Sequence, residues 1–251
     1  MSLLEVKSLS LWYGENRVLY DVSFSLGRGE VLCIVGESGS GKSSILYSIL
    51  GLLPDTAKIE GEILFEGREL TKMRESDRRR LRGKEIGMVF QEPSSYLDPL
   101  FTVGTQIAET YEGHFPEGRS ESRDRAIEAM RRAGIPKAEE KFGMYPHQLS
   151  GGLKQRMCIA AAIVCEPKLL LADEPTTALD VSVQKRILNL FRKFRAEGRS
   201  VILVTHDFGV VAEVGDRVVV LKDGRVIEEG DVYGIFDSPR EEYTRALLRA
   251  I

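Results

Sequence analysis

The chain has 251 residues, 43% of them hydrophobic and 29% charged, with a formal net charge of −3. That balance is typical of a globular fold with enough material for one large core, and it excludes a global electrostatic pull toward nucleic acid. No apolar run approaches the ~18 residues of a membrane span. The start Met1-Ser2-Leu3-Leu4-Glu5 has neither the basic residues nor the apolar run of a secretory leader, so any membrane process served here requires other chains to span the bilayer. Cys33, Cys158 and Cys165 are dispersed in apolar stretches, which predicts buried thiols rather than disulfides or a metal site.

Residues 3–11 and 18–26 read as two strands joined by a turn around Gly14, with a two-residue apolar period that slips. Trp12 and Tyr13 close the first strand. A ring there is either a platform for a purine or an ordinary aromatic at a hairpin end. The buried run Val31-Leu32-Cys33-Ile34-Val35 leads into Gly36-Glu37-Ser38-Gly39-Ser40-Gly41-Lys42-Ser43, followed by Ser44 and an apolar helix. Strand, glycine-rich turn and helix match the G-x-x-x-x-G-K-[ST] phosphate-binding pattern at every position. Gly36, Gly39 and Gly41 would let backbone N–H groups approach an anion. The helix N-terminus adds its positive dipole end. Lys42 would reach the β- and γ-phosphates and the Ser43 hydroxyl would hold Mg²⁺.

A strand is predicted over 59–66. The basic stretch Arg74–Arg82 has acids interspersed and reads as a solvated helix face rather than a lipid or partner contact. Ile86–Phe90 is a short strand ending at Gln91, where Pro93 and Pro99 stop regular structure. From about 102 to 134 the pattern is helical with a break at 113–118, and no strand signal occurs between 91 and 166. Ser150 would cap a helix running to about Val164. Gly151 and Gly152 in its first turn point to a close backbone approach, and a glycine pair at a helix start invites an anion.

Leu169–Ala172 is a buried strand ending in Asp173-Glu174. Two adjacent carboxylates at a strand tip are costly unless used. Beside a phosphate loop, Asp173 would bind Mg²⁺ and Glu174 would polarise the attacking water. Asp180 would cap a helix over 181–197. Val201–Val204 is a further strand, ending in Thr205-His206-Asp207. That places His206 at the ligand-binding edge of an open α/β sheet, where it would touch a γ-phosphate. Two strands over 217–222 and 225–229, joined through Asp223-Gly224, and two C-terminal helices complete the pattern.

Taken together, these residues resemble the nucleotide-binding subunit of an ABC transporter over essentially the whole chain. Gln91 is similar to the family's Q-loop glutamine. Leu149-Ser150-Gly151-Gly152-Leu153-Lys154-Gln155-Arg156 looks like its signature, Leu169–Asp173 like its Walker B strand with Glu174 as catalytic carboxylate, Ala178-Leu179-Asp180 like its D-loop and His206 like its switch histidine. Tyr13 falls where the family stacks adenine. Segments 91–99, 145–148 and 238–248 are similar to the dipeptide, oligopeptide and nickel importer group. The signature departs from that group in Leu153-Lys154, where Met-Arg is more usual, and the cysteine-bearing tail of many members is absent.

The resemblance implies an α/β P-loop NTPase (RecA-like) core with an antiparallel β subdomain and an inserted helical subdomain. It implies one domain over 1–251, with 1–91 and 150–251 as core and β subdomain and 92–149 as the insertion. It implies ATP and Mg²⁺, with Gly36, Ser38, Gly39, Ser40, Gly41, Lys42, Ser43, Ser44, Tyr13, Ser150, Gly151, Gly152 and Asp180 at the nucleotide. Ser43, Gln91 and Asp173 would be at the metal, and Glu174, His206 and Gln91 in hydrolysis. The implied partners are a second cassette, two membrane permease subunits and, indirectly, an extracytoplasmic substrate-binding protein, with no nucleic acid. The implied location is the cytoplasmic face of the membrane. Three rivals compete with this, one of them a P-loop kinase or GTPase, which has no use for Leu149–Arg156. A soluble ABC-type ATPase of DNA repair or translation would tend to carry coiled-coil arms, zinc modules or fused cassettes, none of which is seen. A nucleotide-sensing module that does not hydrolyse has no need of Glu174, Gln91 and His206 together.

Overall fold

The computed structural model describes residues 2–249 apart from 117 and 178, and at 93 and 94 the backbone alone. Ala178 of the expected D-loop and Ala250 of the expected last helix lie outside the described residues. In chain order the elements are β1 (Ser2–Tyr13), β2 (Asn16–Gly27), β3 (Val31–Val35), α1 (Lys42–Leu50), β4 (Ala57–Phe65), β5 (Arg68–Glu69), α2 (Glu75–Leu81) and β6 (Ile86–Val89). Then follow α3 (Pro93–Tyr96), α4 (Val103–Glu112), α5 (Arg119–Arg132), α6 (Ala138–Phe142), a 3₁₀ turn (Pro146–Gln148), α7 (Gly151–Ile163), β7 (Leu169–Asp173) and α8 (Val181–Ala196). The chain ends with β8 (Ser200–Thr205), α9 (Phe208–Val214), β9 (Arg217–Lys222), β10 (Arg225–Asp231), α10 (Val232–Asp237) and α11 (Glu242–Arg249). The helix expected between Met73 and Lys84 is shorter, because the chain turns at Gly83 with φ +79.

The chain divides into two compact units, residues 1–79 with 195–251 and residues 80–194. In the first, β3 pairs in parallel with β8 on one side and β9 on the other, and β10 runs antiparallel to β9. Every residue of β3 and β8 is buried. That is why both read as unbroken apolar runs, as strands covered on both faces do. A separate antiparallel sheet has the order β2-β1-β4-β5. The slip in the apolar period of β1 is a bulge: pairing shifts register between Val6 and Leu9, and Ser8 adopts φ 49. Gly61 of β4 faces it so closely that a Cβ would lie 2.4 Å from the Ser8 carbonyl oxygen, so only glycine fits there.

In the second unit β6 and β7 pair in parallel, with Val89 opposite Ala172. Between Gln91 and Ser150 the described residues form helices and turns without a strand. α4 begins at Thr102, whose side chain accepts from the Thr105 N–H. Gly104 in its first turn lies against Phe142, where a Cβ would come within 2.2 Å of the ring. β6 approaches α7 closely: a Cβ on Gly87 would stand 2.2 Å from the Ala162 carbonyl oxygen. Among the described residues no cysteine is in a disulfide. Burial pushes Cys33 up to about 12, Cys158 to about 12 and Cys165 to about 11.

The contact at Gly87 sets the distance between the strand that leads to Gln91 and the helix that begins at Ser150. Gly87→Ala should therefore cost about 1–3 kcal/mol by overpacking. It should be read as a lower denaturant midpoint at unchanged m value.

Candidate active site

The phosphate loop is built by three backbone constraints. Gly39 and Gly41 have φ +81 and +101, conformations that side-chain-bearing residues rarely adopt. Gly36 differs: its φ is not positive, but a Cβ there would lie 2.2 Å from the Leu221 carbonyl oxygen. Its lack of a side chain serves close packing against β9 rather than turning. The loop closes with the Ser40 N–H donating to the Glu37 carbonyl at 3.2 Å. Lys42, only 5% exposed, donates from Nζ to the carbonyls of Gly36 and Glu37, each at 2.8 Å.

Two features of the loop suit an anion of several oxygens. α1 begins after the N-cap Gly41 without a side-chain cap, and the N-terminus of a helix of this length suits an anion. The Ser40 hydroxyl is buried without a hydrogen-bond partner, the kind of orphan a ligand oxygen satisfies. Tyr13 reaches the same helix, its hydroxyl 3.4 Å from Ser44 Oγ. Trp12, by contrast, has the Arg17 guanidinium at 4.7 Å and Lys58 Nζ at 5.0 Å from its ring centroid. The β3–β8 register pairs Val35 with Thr205, so Gly36 and His206 each stand one residue past the same pair. His206 is exposed. Asp207 beside it caps α9, accepting at Oδ1 from the N–H groups of Gly209 at 2.7 Å and Val210 at 3.3 Å. The acid is thus committed to the turn and the histidine projects from it.

In the other unit, β6 and β7 deliver Gln91 and Glu174 from paired strand ends. Gln91 Nε2 donates to Glu174 Oε2 at 3.2 Å, and Thr177 Oγ1 donates to the same oxygen at 3.0 Å. Glu174 has φ 42, a left-handed conformation that costs an L-residue about 1–2 kcal/mol and is often stored at functional positions. Asp173 ends β7 at 1% exposure. Thr177 was not singled out from sequence, because a threonine in a proline-bounded turn carries no distinguishing pattern.

Ser150 occupies the N-cap position of α7, but its hydroxyl makes no cap hydrogen bond and the residue is exposed. The expected side-chain cap is absent, which leaves that hydroxyl at the helix start. The two glycines separate in role. A Cβ on Gly152 would meet Val183 Cγ1 at 3.0 Å, while around Gly151 there is open space. Close packing therefore explains Gly152 alone. Asp180 Oδ1 accepts from Ser182 Oγ at 2.7 Å and the Val183 N–H at 3.0 Å, capping α8 as expected. Those bonds hold its carboxyl below the usual range. Arg156 is buried and donates to the carbonyls of Gly152 at 3.2 Å and Gly134 at 2.6 Å, tying the signature helix to the end of α5.

Residues 19–177 match the family described as ABC transporter. The chain belongs to the ABC transporter family. It is 45% identical to the dipeptide transport ATP-binding protein DppD of Escherichia coli (strain K12), over all of this chain and 79% of that protein. It is also 45% identical to the oligopeptide transport ATP-binding protein OppD of Bacillus subtilis (strain 168), over 99% of this chain and 72% of that protein. Among solved structures it is similar to the ATP-binding cassette MJ0796 in a dimeric post-hydrolysis state bound to ADP and Pi. The TM-score is 0.82 with 32% identity, over 91% of this chain and 98% of the other. A second, cbiO1 from Clostridium perfringens, part of the ABC transporter complex cbiONQ, gives a TM-score of 0.81 over 94% and 91% of the two chains. The fold is that of an ABC ATPase cassette.

Lys42→Ala removes the buried amine without touching the sheet. It should lower affinity for ATP at least about tenfold, in line with charge-assisted bonds of about 1.5–3 kcal/mol. Equilibrium titration with a fluorescent ATP analogue checks this, and wild-type affinity in that variant would remove the loop from the nucleotide site.

Proposed function

We propose that the chain hydrolyses ATP as one of two cassettes of an ABC importer whose cargo is peptides. The observation that carries the reading is the Glu174 carboxylate at the end of β7, held by Gln91, the residue from which the helical stretch 92–149 departs. A base whose partner begins that stretch links hydrolysis to its movement. The peptide assignment rests on the similarity to DppD and OppD.

Residues Gly36, Ser38, Gly39, Ser40, Gly41, Lys42, Ser43 and Ser44 would bind the phosphates through backbone N–H groups, hydroxyls and the Lys42 ammonium, and Tyr13 would carry the base. Ser43, Gln91 and Asp173 offer hydroxyl, amide and carboxylate oxygens, a hard donor set that suits Mg²⁺. The metal would neutralise phosphate charge there. Glu174 would accept a proton from the attacking water, and His206 would steady the γ-phosphate. Ser150, Gly151 and Asp180 would serve the nucleotide of a second cassette, identical or paralogous, with Gly152 holding α7 against α8. On this reading 92–149 works as a helical subdomain within one ABC domain.

The docking face for the two permease subunits is proposed around 96–101. Tyr96, Leu100 and Phe101 are exposed there, Leu100 at 79%, and Tyr96 stacks on Phe90 with ring centroids 4.0 Å apart. Such grouped exposed apolar residues mark interaction surfaces. No helix among the described residues is long and apolar enough to cross a membrane. Attachment to the cytoplasmic face of the membrane would come through the permease, and an extracytoplasmic binding protein would act only through it.

Glu174→Gln should lower hydrolysis about 10²–10⁴-fold while ATP-bound dimers accumulate. Phosphate release and light scattering report the two outcomes, and a strictly monomeric variant in saturating ATP would count against the two-cassette arrangement. Chelation of Mg²⁺ should abolish phosphate release and re-addition should restore it. Hydrolysis that persists in excess chelator would overturn the metal assignment of Ser43, Gln91 and Asp173.

A further inference from the structure

Several contacts from the same unit hold the phosphate loop from outside, and three of them bear on its Gly36–Ser40 stretch. The Leu221 carbonyl packs on Gly36, as described above. The Gly224 N–H, in the turn after β9, donates to the Ser40 carbonyl at 3.0 Å. The third contact comes from the end of the chain: the Glu37 N–H donates to the hydroxyl of Tyr243, on α11, at 3.1 Å. The first two follow from the strand pairing of β3 with β9. The third does not, since it joins a loop backbone to one side chain 206 residues further on.

The Gly36–Glu37 peptide unit is held at both ends: its N–H donates to Tyr243 and its carbonyl, that of Gly36, accepts from Lys42 Nζ. The next carbonyl, that of Glu37, accepts from Lys42 Nζ and from the Ser40 N–H. The phenol is itself fixed from two directions. Lys222 Nζ, at the end of β9, lies 4.8 Å from its ring centroid. The start of the C-terminal segment is bound independently of the phenol: Glu228 of β10 accepts from the N–H groups of Arg240 at 2.7 Å and Glu241 at 3.2 Å, and Thr244 is fully buried. The helix therefore stays docked whether or not the hydroxyl is present, which leaves the hydroxyl's contribution to the loop.

We propose that Tyr243 is a positioning residue of the nucleotide site: its hydroxyl fixes the planar Gly36–Glu37 peptide unit and, through the Gly36 carbonyl of that unit, the Lys42 ammonium and the entry turn of the phosphate loop. The role deepens the ATP assignment and rests on it. A loop holds the phosphates alike in the ground and transition states, so its loosening acts on binding rather than on chemistry.

Tyr243→Phe keeps the ring, the Lys222 contact and the buried Thr244, and deletes the acceptor alone. It should raise the ATP dissociation constant and the KM about 2- to 10-fold, the range of one neutral hydrogen bond, at unchanged kcat and with a melting temperature within ~6 °C of wild type. Titration with the fluorescent ATP analogue, steady-state phosphate release and thermal melting of the intact chain read the three quantities. Wild-type affinity and KM in Tyr243→Phe, or a lowered melting temperature with a falling kcat at constant KM, would overturn the positioning role. Lys42→Ala measured alongside separates the failures. If it loses ATP while Tyr243→Phe keeps it, only the positioning role falls; if it also keeps ATP, the nucleotide assignment beneath falls.

Discussion

A lysine ammonium in a nearly closed backbone loop is the constraint on which the nucleotide-binding half of this protein depends. Leaving such a charge without partners is costly, and here the loop supplies its own: Lys42 lies on the carbonyls of Gly36 and Glu37. Those carbonyls are available only because the backbone doubles back through Gly39 and Gly41, and because Gly36 sits flush against the Leu221 carbonyl. The parallel register of β3 with β8 and β9 then decides where that loop begins and what stands beside it, His206 included. One buried charge thus ties together strand order, glycine placement and site geometry.

Much of this was legible in the sequence, for identifiable reasons. The phosphate loop is local, so eight consecutive residues carry it. β3, β7 and β8 announce themselves because strands buried on both faces admit little but apolar side chains. Hidden features were those in which one partner is far away or chemically plain. That Gly36 yields to a carbonyl near residue 221 cannot be seen from either stretch alone. The purposes of Gly151 and Gly152 are indistinguishable until Val183 is seen beside only one of them. Ser150 shows the opposite case: its position follows the N-cap rule, yet its hydroxyl does not perform the expected bond. Thr177 and Tyr243 escaped because single hydroxyls carry no periodicity or spacing.

The second unit shows how the carboxylate proposed as the base is held in place. Glu174 follows a strand whose last residue is almost wholly buried, and it turns into a left-handed conformation there. Two donors, an amide and a hydroxyl, converge on one of its oxygens. The acid is thereby oriented through one oxygen, with both donors coming from neighbouring loop residues of the same unit. The amide donor belongs to the residue after which the chain leaves β6 for the helices, so the orientation of the acid and the departure of those helices share a side chain.

The cysteine at the centre of β3 carries a further consequence. Cys33 is fully buried two residues before the loop-bearing strand ends, and its thiol is held far from ionisation. Reagents that attack thiolates therefore meet an inert group as long as the strand stays paired. The residue is a built-in clock for native-state opening: the rate at which it becomes modifiable measures how often the strand beneath the phosphate loop is exposed. The same protection spares this part of the molecule from oxidative damage between such openings.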